Sequence, residues 1–322
     1  MSGDALIEVA GLTKHYPVHQ GLFGRESARV RAVESVSFSI GSNEVLGLAG
    51  ESGSGKSTIG RLLLRLIEPT AGSVVFDGAA VEAMSPIELR AFRRRAQIIF
   101  QDPFASLDPL MTVGQSIAEP LMIQSLARGS ALEDRVAELL DAVSLPRDFA
   151  TRPPDALSGG QRQRVVIARA LSVDPAFIVA DEPVSALDVS IQAQVLSLLE
   201  TLKARSSLSM LFISHDIAVL EYVSDRIAVL YLGRLMEIGP AADVIASPRH
   251  PYTEALVSAV PGGAGRARIL MKGDAPNAAA PPSGCVFRTR CRSAIAECTV
   301  VVPSLREIAP GHFKACILDD KP

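Results

Sequence analysis

Gly50-Glu51-Ser52-Gly53-Ser54-Gly55-Lys56-Ser57 stands between a short apolar run, EVLGLA (44–49), and KSTIGRLLLRLI (56–67), whose apolar residues recur at helical spacing. A strand, a glycine-rich turn and a helix in that order leave the chain few folds. The glycines let the backbone curl until several N–H groups face one point. The helix starting near Lys56 aims the positive end of its dipole at that point. This is the G-x-x-x-x-G-K-[ST] pattern of a phosphate-binding P-loop. Lys56 adds a full charge for terminal phosphates, and the Ser57 hydroxyl suits a magnesium ion.

Glycine and proline divide the rest of the chain. Residues 5–18 and 33–40 read as strands, rich in β-branched residues, with further strands at 73–77 and 96–100. Residues 113–172 hold three helical patterns (113–127, 131–144, 159–172) and few strand-like runs, so they read as a helical insertion. Short apolar strands return at 176–180, 209–213 and 226–231, each beside a helical segment. Fully apolar strands alternating with helices imply an α/β fold, its mostly parallel sheet covered on both faces. Helices are expected at 240–247 and 250–260, and GDAPNAAAPPSG (273–284) reads as a linker or extended crossing.

Composition narrows the function classes. The chain has 322 residues, 48% of them hydrophobic, and a net charge of −3, which excludes a disordered chain and argues against bulk electrostatic binding of nucleic acid. No apolar run approaches the 18–20 residues needed to span a bilayer, and MSGDALIEVAG shows no secretory leader. All four cysteines lie beyond residue 284, so no disulfide is expected in the main fold.

A second acidic motif accompanies the P-loop. The apolar strand AFIVA ends in Asp181 and Glu182. Adjacent strand residues point opposite ways. Asp181 can therefore join a magnesium shell while Glu182 polarises a water for attack on a γ-phosphate. His215 follows the apolar strand ending at Ile213, at the carboxyl end where ligands bind in α/β sheets.

Leu157-Ser158-Gly159-Gly160-Gln161 heads the helical segment QRQRVVIARAL and makes the pattern specific. In order the chain carries Tyr16, the P-loop, Gln101 in IIFQDP, LSGGQ, IVADEP, Ser185-Ala186-Leu187-Asp188 and His215. This set resembles the ATP-binding subunits of ABC transporters over roughly residues 5–245. The resemblance implies a P-loop NTPase (RecA-like) core with an antiparallel β subdomain and a helical subdomain at about 102–175. It implies that ATP is bound by Tyr16, stacked on adenine, and by Ser52, Gly53, Ser54, Gly55, Lys56, Ser57 and Thr58. Mg²⁺ would be held through Ser57, Gln101 and Asp181. Glu182, His215 and Gln101 would act in catalysis. Ser158, Gly159, Gly160 and Gln161 would meet the ATP of the opposite subunit, with Asp188 at the dimer interface. Two anion-binding helix ends in one chain can sandwich two nucleotides between two chains.

Residues 246–322 narrow the resemblance. HPYT (250–253), the proline-rich crossing, the cysteine cluster and ADEPVSALDVSIQAQVL (180–196) resemble the ATPase subunits of oligopeptide and dipeptide permeases. The wording looks most like the second, F-type ATPase of such systems, which works beside a sister subunit. Cys285, Cys291, Cys298 and Cys316 have the spacing C-x5-C-x6-C-x17-C. That spacing matches neither the usual structural zinc sites nor the common ferredoxins. Spacing alone leaves disulfides, incidental thiols and a metal or cluster site open, with disulfides disfavoured in a reducing compartment. The subfamily resemblance implies a [4Fe-4S] cluster on the four thiolates, with Arg292 standing where a proline is frequent. Arg288, Arg290 and Arg292 suit such an anionic site, and equally suit solvent. Arg90, Arg93, Arg94 and Arg95 read as a solvated helix face.

The expected function is the ATP-hydrolysing motor of a di- or oligopeptide importer, peripheral on the cytoplasmic face of the inner membrane. Partners implied are a sister ABC ATPase, two transmembrane permease subunits and an extracytoplasmic peptide-binding protein, with no nucleic acid. Related ATPases serve nickel, glutathione or antimicrobial peptides, so cargo stays open. A soluble ABC ATPase of DNA repair or translation is the rival of another class. Long coiled coils, zinc insertions or tandem ATPase domains would favour it, and none is visible.

Overall fold

The computed structural model describes residues 5–20, 25–260 and 267–318. The first elements are β1 (Ala5–Gln20), β2 (Arg25–Gly41), β3 (Val45–Ala49), α1 (Lys56–Leu63), β4 (Ala71–Phe76), β5 (Ala79–Ala80), α2 (Pro86–Arg95) and β6 (Ala96–Ile99). Four helices follow: α3 (Pro103–Ser106), α4 (Val113–Ile123), α5 (Ser130–Ala142) and α6 (Gly159–Leu171). Then come β7 (Phe177–Asp181), α7 (Val189–Ser206), β8 (Ser209–Ile213), α8 (Ile217–Val223), β9 (Arg226–Tyr231) and β10 (Arg234–Pro240). The chain closes with α9 (Ala241–Ala246), α10 (Pro251–Ser258), β11 (Arg306–Ala309) and β12 (His312–Lys314). Two compact units result: residues 1–40, 45–82 and 214–322 form the first, and residues 41–44 and 83–213 the second.

The first unit holds an antiparallel sheet of order β2-β1-β4-β5. Ile7 opposes Phe76 and Val9 opposes Val74, and these four apolar side chains are buried. The pairing shifts between Ala10 and Thr13, where Gly11 adopts φ 57°. The same unit carries strands in the order β11-β12-β10-β9-β3. β3 pairs with β9 in parallel, Leu48 opposite Ala228, and every residue of β3 is buried. Leu232 and Gly233, both at positive φ, turn β9 into β10. β12 pairs antiparallel with β10, Ile238 opposite Phe313. The C-terminal residues thus extend the cassette's own strands rather than folding apart from them. The crossing at 273–284 has no helix or strand, and Arg31 N–H donates to Ala278 O at 3.1 Å.

In the second unit β6, β7 and β8 are parallel, in the order β8-β7-β6. β7 and β8 are buried throughout, as the unbroken apolar runs require. Between β6 and β7 the chain is helical. α4 and α6 each start with a reciprocal capping box, Thr112 with Gln115 and Ser158 with Gln161. The two helices bury Val113, Ile117 and Leu121 from α4, and Val165, Val166 and Ile167 from α6. α2 opens with a third capping box, Ser85 with Glu88, and ends in Arg93, Arg94 and Arg95, all exposed. No helix among the described residues is long and apolar enough to cross a membrane.

Candidate functional site

In the first unit, β3 delivers the chain into the P-loop. Gly50, Gly53 and Gly55 take φ of 153°, 77° and 105°. A Cβ at Gly55 would stand 2.1 Å from the Ala32 carbonyl oxygen, and one at Gly50 2.3 Å from that of Leu230. Two of the glycines are therefore demanded by backbone crowding as well as by conformation. Gly55 caps α1 with no side-chain hydrogen bond, so the helix's first N–H groups are offered to an anion. Lys56 is buried, and its ammonium donates to Gly50 O at 2.8 Å and Glu51 O at 3.0 Å. The Ser54 hydroxyl is buried with no partner in the protein, a polar group suited to a phosphate oxygen. Ser52 is exposed, and Ser57 and Thr58 are half-buried at the start of α1.

Tyr16, on β1, is 37% exposed, with Lys14 Nζ 5.2 Å from its ring centroid. Neighbouring His15 bonds Glu34 at 2.8 Å instead. His215 is exposed on the loop ahead of α8. Ser214 N–H donates to Leu48 O at 3.2 Å, which fastens this loop to β3 two residues before Gly50. Asp216 caps α8 through Ala218 N–H, so His215 is held between two anchored neighbours.

The second unit carries the acidic group. Asp181 closes β7 and is buried. Glu182 takes φ 47°, an unusual conformation for a side-chain-bearing residue, and its N–H donates to Ile213 O at 3.0 Å. This turn swings its carboxylate to Gln101, whose amide Nε2 donates to Glu182 Oε2 at 3.0 Å. Gln101 follows β6, where Ile99 pairs with Ala180, so sheet register brings the two side chains together. Ser158 caps α6 by accepting from Gln161 N–H, while Gln161 Oε1 accepts from Ser158 N–H. A Cβ on Gly160 would lie 2.5 Å from Ile191 Cγ2 on α7. Asp188, exposed, sits at the N-cap of α7.

The C-terminal region holds a buried polar core that sequence reasoning did not anticipate. Glu237, on β10, is fully buried and accepts from Arg249 N–H, His250 N–H and His312 Nε2 at 2.8–2.9 Å. His250 Nδ1 accepts from Tyr252 N–H and so caps α10. Burial holds the His250 imidazole down at about 4, Lys314 adding to the effect and Glu237 opposing it. Each of the three arginines of this region has a partner, Arg288 with Ser283 O, Arg290 with Glu51 at 2.7 Å and Arg292 with Glu254 at 2.9 Å, and of these Arg292 remains exposed while Arg290 is largely withdrawn from solvent. No signal in a single sequence joins Arg290 to Glu51 across 239 residues.

Cys285 and Cys298 are buried, Cys291 and Cys316 half-buried, and all four are free thiols. Burial pushes the Cys285 thiol up to about 11 and raises those of Cys291 and Cys316, with neighbouring thiols adding to these three rises. Cys285 N–H donates to Cys298 O at 2.9 Å. Among the described residues no three His, Cys, Asp or Glu side chains converge on a single-ion site.

Comparison with known proteins gives the lineage. Residues 33–185 match the ABC transporter family, and residues 236–298 match the oligopeptide/dipeptide transporter C-terminal region. A Brucella ovis protein provisionally named a peptide import ATP-binding protein is 55% identical over 99% of this chain and 100% of its own length. The oligopeptide transport ATP-binding protein AppF of Bacillus subtilis is 47% identical over 98% of each chain. Among solved structures, a dimeric ATP-binding cassette in a post-hydrolysis state bound to ADP and Pi superposes with a TM-score of 0.65. It is 31% identical and covers 73% of this chain and 98% of its own. The chain belongs to the ATP-binding subunits of ABC transporters, the branch with the oligopeptide/dipeptide C-terminal region, and it is an ATPase of the P-loop class.

Proposed function

We propose that this ATPase drives uptake of di- or oligopeptides through partner permease subunits at the cytoplasmic face of the inner membrane. The observation that carries this reading is the joint presence, in one chain, of a complete cassette and the peptide-transporter C-terminal region. Relatives named for peptide import or oligopeptide transport match it from end to end.

The reaction is ATP + water → ADP + phosphate, and the protein's part is positioning and charge stabilisation. P-loop N–H groups at 52–58 and the Lys56 ammonium take the phosphates, and Tyr16 stacks on adenine. Ser57, Gln101 and Asp181 would hold Mg²⁺, which would supply positive charge to offset that of the phosphates. Glu182 accepts a proton from the attacking water, and His215 contacts the γ-phosphate. Ser158, Gly159, Gly160 and Gln161 present a helix N-terminus to the ATP of an opposing ATPase subunit, beside Asp188. The opposing subunit is a sister chain, and closure of the pair drives two permease subunits fed by an extracytoplasmic binding protein.

Four free thiols in an extension that matches the peptide-transporter C-terminal region support a [4Fe-4S] group there. Cys285, Cys291, Cys298 and Cys316 would hold it, and it would supply cross-links among segments that otherwise have little regular structure. Purification from detergent-solubilised membranes tests the assembly. The expected result is recovery with two permease subunits and a second ATPase, with ATPase activity raised by peptide plus binding protein. Stimulation by nickel or glutathione but not by peptide would reassign the cargo, and recovery with ribosomes or DNA would overturn the transport reading.

A further inference from the structure

Glu51 is the first variable residue of the P-loop, and the C-terminal extension grips it twice. Its N–H donates to the Tyr252 hydroxyl at 3.0 Å, and its carboxylate accepts from Arg290 Nη1 at 2.7 Å. Its carbonyl oxygen in turn accepts from Lys56 Nζ at 3.0 Å and from Ser54 N–H at 3.2 Å. The residue is thus tied on one side to the extension and on the other to the lysine and serine of the phosphate cradle. Arg290 is itself held. Its N–H closes a turn onto Phe287 O at 3.0 Å, and its guanidinium stands 5.9 Å from the Tyr231 ring centroid. Phe287 packs on Tyr231 and Tyr252 at 5.2 Å between ring centroids. The arginine is only 9% exposed, and its Nε is buried without a partner. An arginine buried with a donor unmet is costly, and a lone ion pair there is a weak source of stability. Its value lies in fixing geometry.

We propose that Arg290 is a positioning residue for ATP binding. Through Glu51 it sets the peptide that supports Lys56, so the cysteine-bearing extension tunes the affinity of the P-loop for nucleotide. Arg290 touches no reacting atom; its effect falls on nucleotide binding and leaves turnover of the bound state near its normal rate.

The test uses the full-length chain, titrated with the magnesium complex of a fluorescent ATP analogue and assayed for steady-state ATP hydrolysis. Arg290→Gln is expected to raise both the analogue's Kd and the KM for ATP about tenfold, with kcat within about twofold. Arg290→Lys keeps the charge and is expected to recover most of the loss, as is the swapped pair Glu51→Arg/Arg290→Glu. Unchanged Kd and KM in a folded Arg290→Gln variant overturn the proposal. So does a loss confined to kcat. Should Arg290→Gln fail to fold, Glu51→Ala breaks the same contact from its more exposed side. Wild-type KM in that variant equally refutes the inference.

Discussion

Gln101 and Glu182 meet at 3.0 Å, amide nitrogen to carboxylate oxygen, because adjacent parallel strands end in register and Glu182 turns through a positive φ. The bond leaves one carboxylate lone pair engaged and fixes the direction of the other oxygen. A carboxylate proposed as the base and held this way would need little reorganisation when water arrives. Glu182→Gln keeps an acceptor for Gln101 but removes the proposed base. Hydrolysis is expected to fall by at least about 100-fold while ATP affinity is retained, so nucleotide-bound closed dimers accumulate. Size-exclusion chromatography with and without ATP, beside a phosphate-release assay, reads both effects. Normal turnover in this variant would remove Glu182 from the catalytic role.

Gly55 and Gly160 have different reasons to be glycine. At Gly55 an added Cβ meets main-chain oxygen at 2.1 Å in a left-handed backbone, and neither feature can relax without moving the P-loop. Gly55→Ala is expected to abolish ATP binding measured by calorimetry. At Gly160 the obstacle is Ile191 Cγ2 at 2.5 Å, the end of a side chain. Gly160→Ala is expected to cost about 1–3 kcal/mol by overpacking, and the double variant Gly160→Ala/Ile191→Ala to recover part of it. Thermal melts of the native chain and the two variants decide, and a Gly160→Ala midpoint equal to the native one would show that α7 yields freely to the added methyl.

The P-loop, the Asp181–Glu182 pair and the signature helix were legible in the sequence because each depends on local chemistry. A turn, a strand end and a capped helix leave marks within ten residues. Strands β7, β8 and β9 were legible for the same reason: buried on both faces, they read as unbroken apolar runs. β12 was not, since three residues carry no period and only the ladder to β10 makes His312–Lys314 a strand. Buried Glu237 was also invisible, because its partners at 249, 250 and 312 come together through the fold. Arg290 illustrates the limit best. Its neighbours in sequence are cysteines and arginines, which suggested an anionic site or solvent, whereas its partner in space belongs to the P-loop.

The cysteines give a compositional prediction. Protein purified without oxygen should carry about four iron atoms and matching acid-labile sulfide per chain, with visible absorption lost on oxidation. Cys298→Ser removes a buried thiol proposed as a ligand and should lower the iron content sharply. Stoichiometric zinc without sulfide would reject the cluster. Because Arg290 precedes Cys291, loss of the bound group is also expected to raise the Kd for ATP in the direction of Arg290→Gln.

His250 gives the extension a pH dependence whose sign is fixed by burial. Its imidazole is held at about 4, against 6.5 for an exposed histidine. Between these values the unfolded chain binds the proton and the folded chain does not, so folding is favoured as pH rises. The contribution is fully present above pH 6.5 and drains away as pH falls toward 4, by at most about 3 kcal/mol. The Lys314 ammonium acts on the same imidazole, so protonating His250 adds positive charge beside an existing one, while Glu237 opposes this in part. His250→Asn retains an acceptor for Tyr252 N–H and has no proton to gain. Denaturant melts at pH 7 and pH 4.5 should show a smaller loss of stability for His250→Asn than for the native chain. Parallel losses in the two proteins would place the acid sensitivity elsewhere.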